Sequence, residues 1–177
     1  RIVTKNHMID DNFVNVGYMP LTFEITNDGK FAYVANSKSR NVSVIDLQKM
    51  ESVTDPIQVE GSPRAVAITD DGKKVYVALG GNAGVAVIDT AENRVIKTIE
   101  TGADPWGMEL KYPNLYVSNE GLASISVIDV RNDKVVNEVI TSDTPRGIAY
   151  LNGMIYVSVM NGVDVFETKR FEKPASM

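Results

Sequence analysis

The stretch Tyr33-Val34-Ala35-Asn36, followed after a polar loop by Val42-Ser43-Val44-Ile45-Asp46, decides how this chain reads, because it comes back. It returns as Tyr76-Val77-Ala78-Leu79 with Val85-Ala86-Val87-Ile88-Asp89, and as Tyr116-Val117-Ser118-Asn119 with Ile125-Ser126-Val127-Ile128-Asp129. A worn copy reads Tyr156-Val157-Ser158-Val159 with Val163-Asp164-Val165-Phe166-Glu167. The tyrosines step by 43, 40 and 40 residues, and the landmark prolines Pro20, Pro63, Pro105 and Pro145 by 43, 42 and 40. Two landmarks sharing one period mark a repeat, and a period near 40 built from short strands implies stacked or radially arranged four-stranded sheets.

Within the first unit the pattern predicts strand A over 21–26, B over 31–35, C over 42–46 and D over 56–59. Each run is rich in Val, Ile and Tyr and bounded by turn formers, the signature of an all-β chain. Asn27-Asp28-Gly29-Lys30 and Asp70-Asp71-Gly72-Lys73 are hairpin turns, built from residues that tolerate positive φ. No stretch carries a helical period. Strands B and C are apolar on both faces, which fits sheets sandwiched between neighbours rather than a sheet with one wet side. The tail beyond 167 carries Lys169, Arg170, Lys173 and Pro174 and makes a poor fourth strand.

The chain has 177 residues, 44% of them hydrophobic, enough for one domain with a sizeable core. A net charge of -5 repels phosphate backbones, so nucleic acid is not an expected partner. No apolar run reaches the length of a membrane span. Cysteine is absent, excluding disulfides, thiolate nucleophiles, Cys-ligated zinc and c-type haem attachment. The one histidine, His7, has no companion for a triad or metal site and reads as a surface residue. No metal or other cofactor is expected.

The pattern Pro-x-x-(Ala/Ile), Asp-Gly-Lys, Tyr-Val-(Ala/Ser)-Asn, Val-Ser-Val-Ile-Asp resembles the YVTN family of β-propeller repeats, found in surface-layer and periplasmic proteins. The resemblance runs over residues 17–167. It implies an all-β propeller of four-stranded antiparallel blades, about four in this chain, with repeats at 17–60, 61–101, 102–141 and 142–177. It also implies an extracytoplasmic location, with which the missing cysteines agree. The family usually closes with more blades than this, so the chain is either part of a larger propeller, one of two associating copies, or a ring closed by its own N-terminal strand. Residues 1–16 read as the outer strand of a preceding or closing blade: Arg1-Ile2-Val3 resembles Arg94-Val95-Ile96, and the stretch 13–16 alternates like a strand.

In a propeller, the loops joining D to the next A and B to C fall on one end of the disc. The residues after the landmark prolines are Leu21, Arg64, Trp106 and Arg146, and the B to C connections add Asn36, Arg40, Asn82, Asn119, Glu120 and Asn161. Arg64 and Arg146 flanking Trp106 suit a carboxylate, a phosphate or an acidic side chain, because guanidinium binds oxyanions through paired donors and the indole adds apolar area. The plainer reading is that Trp106 fills the channel mouth and the arginines pair with local acids. Asp46, Asp89 and Asp129 recur at the end of strand C, where a carboxylate caps the following turn rather than doing acid–base work.

The leading functional expectation is a non-catalytic scaffold that binds a protein or a surface polymer through Arg64, Trp106, Arg146, Asn36, Asn119 and Glu120. The alternative is a propeller enzyme or enzyme subunit, either a lactonase-like hydrolase in which Arg64, Arg146 and Glu120 position an anionic sugar, or a subunit of a periplasmic oxidoreductase. Haem-binding propellers of the nitrite-reductase type use axial histidines, and the scarcity of His counts against that relative.

Overall fold

A computed structural model describes residues 13–81 and 84–170. The described residues form strands and two short 3-10 turns, with no α-helix. Blade 1 comprises β1 (Pro20–Ile25), β2 (Phe31–Asn36), β3 (Asn41–Asp46), and an outer strand broken into β4 (Glu51–Ser52) and β5 (Ile57–Gln58). Blade 2 comprises β6 (Ser62–Ile68), β7 (Lys74–Gly80), β8 (Gly84–Asp89) and β9 (Arg94–Ile99). Blade 3 comprises β10 (Pro105–Lys111), β11 (Asn114–Asn119), β12 (Ser124–Asp129) and β13 (Lys134–Ile140). Blade 4 has β14 (Ile148–Leu151), β15 (Met154–Val159) and β16 (Gly162–Glu167). Every sheet is an antiparallel meander in chain order, the order expected of propeller blades.

The sheets stack through the strands that the repeat marks. Tyr33, Val42 and Val44 of blade 1 pack against Val75, Val77 and Ile88 of blade 2. Tyr76, Val85 and Val87 of blade 2 meet Leu115, Val117 and Ile128 of blade 3, and Tyr116, Ile125 and Val127 of blade 3 meet Ile155 and Val157 of blade 4. Burying such a Val or Ile is worth about 1.5–3 kcal/mol, so the apolar-on-both-faces pattern is what fastens blade to blade. The innermost strands also touch in sequence, β1 to β6, β6 to β10 and β10 to β14.

Turn chemistry follows the sequence. Gly29 and Gly72 take φ of 71° and 69°, and Asp28 and Asp71 each accept from a threonine hydroxyl at 2.7 Å. In blade 4 the two-residue connection Asn152-Gly153 has φ of 48° and 81°, the left-handed pair that a tight hairpin needs. At the C to D turns, Asp46 accepts from the amides of Gln48 and Lys49, Asp89 from those of Ala91 and Glu92, and Asp129 from that of Arg131. The recurring carboxylates are caps.

One expectation is corrected and another extended. The stretch 13–16 forms no strand, and Phe13 is 82% exposed; the chain instead enters β1 held by the following loop, with the Tyr18 amide donating to Ser39 Oγ at 2.6 Å. Residues 1–12, with His7, lie outside the described residues. The D strand of blade 1 does fall within 56–59, as β5 with the Val59 amide donating to the Arg40 carbonyl at 3.0 Å, but a separate piece, β4, precedes it across a break that ends at Pro56, which has no N–H to give the ladder.

Among the described residues, blades 1 and 4 share no core. All six residues of β1 are exposed, and the outward face of blade 4 shows Tyr156 (37%), Val163 (59%) and Val165 (48%) to solvent. Among the described residues the four sheets form an open arc, a partial propeller, which the stretch 13–16 does not close.

Candidate functional site

Three of the four innermost strands break their register just after the landmark proline. The pairing jumps from Pro20 to Thr22, from Pro63 to Ala65, and from Pro105 to Met108. Leu21, Arg64 and Trp106 are thus left out of the ladder at β-bulges, which bend a strand and re-aim a side chain. Arg146 precedes β14 at the same place, its amide donating to the Ser158 carbonyl at 3.0 Å. The sequence could not show the bulges, yet they explain how blades 1 to 3 carry leucine, arginine and tryptophan at this position without disturbing the ladder.

The bulges bring three of these side chains together. The guanidinium carbon of Arg64 lies 4.3 Å from the centre of the Trp106 ring and that of Arg146 lies 4.7 Å from it, so the indole is contacted by arginines from the blades on either side. Glu120, in a 3-10 turn (Glu120–Leu122) after β11, joins both. Its Oε1 accepts from Arg146 Nε at 3.1 Å and Nη2 at 2.7 Å, and its Oε2 from Arg64 Nη1 at 3.3 Å. Arg64 Nη2 also pairs with Asp104 at 3.0 Å. Leu21 stays 43% exposed on β1.

Backbone contacts fix this geometry. The Ser118 hydroxyl donates to the Arg146 carbonyl at 2.7 Å. Gly107 lets that carbonyl approach, since a Cβ there would sit 2.2 Å from it. The turn bearing Glu120 is held by the Glu120 amide to Asp104 and the Gly121 amide to Ala103, both carbonyl acceptors at 3.0 Å. Those bonds also join a D to A loop to a B to C loop, so the two loop sets do share one end of the arc.

Clefts flank the cluster. One of about 360 Å³ is lined by Glu120, Thr144, Arg146, Ser158, Val159 and Met160. Another, of about 660 Å³, runs beside Arg64 and Asp104 and includes Arg40 and Glu60. Among the described residues, no group of three or more His, Cys, Asp or Glu is gathered to hold a metal ion.

Asn36 and Asn119 do not share this surface. Both are fully buried at the ends of β2 and β11. Asn36 Nδ2 donates to Asn41 Oδ1 at 2.8 Å and Ser43 Oγ at 2.9 Å, and Asn119 Nδ2 to Ser124 Oγ at 3.1 Å and Ser126 Oγ at 2.9 Å. They tie B to C inside the blade, so the cluster reduces to Arg64, Trp106 and Glu120, which are half-buried, and the exposed Arg146. Asn161 is exposed, as is Arg40; Asn82 lies outside the described residues.

Residues 9–112 match the YNCE-like beta-propeller family. The chain belongs to that family. Among solved structures, hydrazine synthase of Kuenenia stuttgartiensis is similar with a TM-score of 0.81 at 22% identity, over 96% of this chain and 50% of that one. Dihydro-heme d1 dehydrogenase NirN, solved in complex with DHE, is similar with a TM-score of 0.70 at 17% identity, over 85% of this chain and 35% of that one. These likenesses concern the fold, and this YNCE-like chain spans half or less of either relative. No curated protein matches. Among the described residues no helix is long and apolar enough to cross a membrane.

Proposed function

We propose that this YNCE-like propeller is a non-catalytic binding scaffold whose contact face is the cluster of Arg64, Trp106, Glu120 and Arg146. The observation that carries the reading is the stacking of two arginines on one tryptophan, drawn from three consecutive blades and fixed by Glu120. Trp and Arg dominate the residues whose loss weakens protein interfaces, and a cluster already in place spares the ordering cost of binding. The face suits a protein or surface polymer. An extracytoplasmic location and membership of a larger propeller or assembly go with this reading, the second supported by the open arc and by the share of each relative that the chain covers. Comparing partner capture by the native chain with that by Trp106→Ala and Arg146→Ala tests it: capture falls sharply in both, and unchanged capture rejects the face.

The enzyme-subunit reading draws on one observation, that the two solved structures named above carry enzyme names. Turnover of a lactone panel by the purified chain, abolished in the Arg64, Glu120 and Arg146 variants, would favour it over the scaffold.

A further inference from the structure

We propose that Glu120 occupies the place of a ligand carboxylate, and that the external ligand that displaces it is an acidic peptide segment with an apolar residue beside its Asp or Glu. The proposal rests on the binding-face reading and names the partner class for it.

One carboxylate here takes donors from two guanidiniums, with paired bonds from Arg146 and a third from Arg64. That is the arrangement by which arginines receive a carboxylate from another molecule. Glu120 can leave it without unmaking the loop, because the turn is anchored through the Glu120 and Gly121 amides rather than the side chain. Arg64 keeps its position when Glu120 leaves, since Asp104 holds its other terminal nitrogen. The Arg146 side chain is 59% exposed. Exchange at Arg146 sets one carboxylate in place of another on the same donors, so the bonds lost and the bonds gained are alike.

The surroundings select a peptide over an acidic polysaccharide. The Trp106 ring is already engaged by two guanidinium groups, which compete with any sugar for stacking on it. The cleft next to Glu120 and Arg146 offers instead Val159 and Met160 for an aliphatic side chain, with Thr144 and Ser158 as hydrogen-bonding groups for a peptide backbone. Met160 is 72% exposed.

The test is fluorescence anisotropy with a labelled peptide of Glu-Leu-Ser repeats, its Gln-Leu-Ser counterpart, and labelled oligogalacturonate. The native chain binds the acidic peptide and not the Gln counterpart. Glu120→Gln and Glu120→Ala, each checked for native melting, bind the acidic peptide about tenfold more tightly, a change of about 1.4 kcal/mol. Arg146→Ala loses the binding. Glu92→Gln, the same change of charge in a turn at the opposite end of the blade, leaves it unaltered. Equal or weaker binding in both Glu120 variants overturns the proposal, as does equal tightening in Glu92→Gln, and preference for oligogalacturonate reassigns the face to a polysaccharide. If Trp106→Ala abolishes partner capture while the Glu120 variants change nothing, the scaffold reading stands and the displacement idea falls.

Discussion

The Tyr76 hydroxyl donates to Asp133 Oδ1 across the junction of blades 2 and 3, while Lys74 Nζ reaches Oδ2 of the same carboxylate at 2.7 Å. Tyr33 makes the corresponding bond one junction earlier, to Asn93 Oδ1 at 3.0 Å. Both acceptors sit at left-handed positions of C to D turns, with φ of 47° for Asn93 and 54° for Asp133, a conformation that Asn and Asp tolerate. The tyrosine of the repeat thus fills the gap between sheets with its ring and grips the next blade's turn with its hydroxyl.

Tyr76→Phe keeps the ring and removes the grip. Losing one hydrogen bond to a charged acceptor at a buried site costs about 1.5–3 kcal/mol, and Tyr33→Phe, with a neutral acceptor, about 0.5–1.5 kcal/mol. Urea unfolding should rank the variants in that order, and equal midpoints would dissociate the hydroxyl from stability.

The same residues set an alkaline limit. Burial, then the nearby Asp89, pushes Tyr33 up to about 12, and burial together with Asp133 carries Tyr76 higher still. An unfolded tyrosine ionises near pH 10. Above about that pH the unfolded chain has lost protons that the folded chain keeps, so stability, fully present below it, falls as pH rises through the folded value. The denaturation midpoint should stay level on this account up to about pH 10 and then drop, less steeply in Tyr33→Phe. Phenolate absorbance from Tyr33 appearing near pH 10 in the folded protein contradicts this.

The polar knot of blade 3 has an apolar counterpart in blade 2, where Leu79 and Ala86 take the places of Asn119 and Ser126 and are equally buried. Asn119→Leu alone leaves the buried hydroxyl of Ser126 with only the Gly102 amide, at 3.3 Å, and should cost about 1–3 kcal/mol. Adding Ser126→Ala restores the match, so the pair is non-additive. A double-mutant cycle by urea unfolding reads the coupling, and strict additivity would mean that the knot contributes no pairwise energy.

Val163 and Val165 stand where Val85 and Val87 of blade 2 are wholly covered by the next sheet. Left open, this face should take up the dye ANS and drive self-association, large apolar patches being unusual on free surfaces. Val163→Thr with Val165→Thr should lower dye fluorescence and scattering mass without loss of strand signal in circular dichroism. Unaltered dye binding would place the sticky surface elsewhere.

Much of the fold was legible because its causes are local and repeated. Tyr76-Val77-Ala78 with Val85-Ala86-Val87 specifies two strands and both of their neighbours, and Asp-Gly-Lys specifies the hairpin between A and B. The short piece β4 was missed because Glu51-Ser52 carries none of the β-branched or aromatic residues that mark the other strands. Asn36 and Asn119 were expected on the rim since asparagine usually marks loops; their partners Ser43 and Ser126 lie seven residues on, a spacing that becomes a contact only once B and C are paired. Arg64, Trp106 and Arg146 were picked out by counting from a proline. That they touch depends on how consecutive blades turn about a shared axis, which no single repeat encodes.

The bulge after Pro20, Pro63 and Pro105 separates what a residue displays from what it supports. A side chain outside the ladder can be exchanged without disturbing the strand that carries it, and the chain already shows leucine, arginine, tryptophan and arginine at the four equivalent places. Such a site can acquire a new specificity one blade at a time, while the framework beneath keeps its spelling.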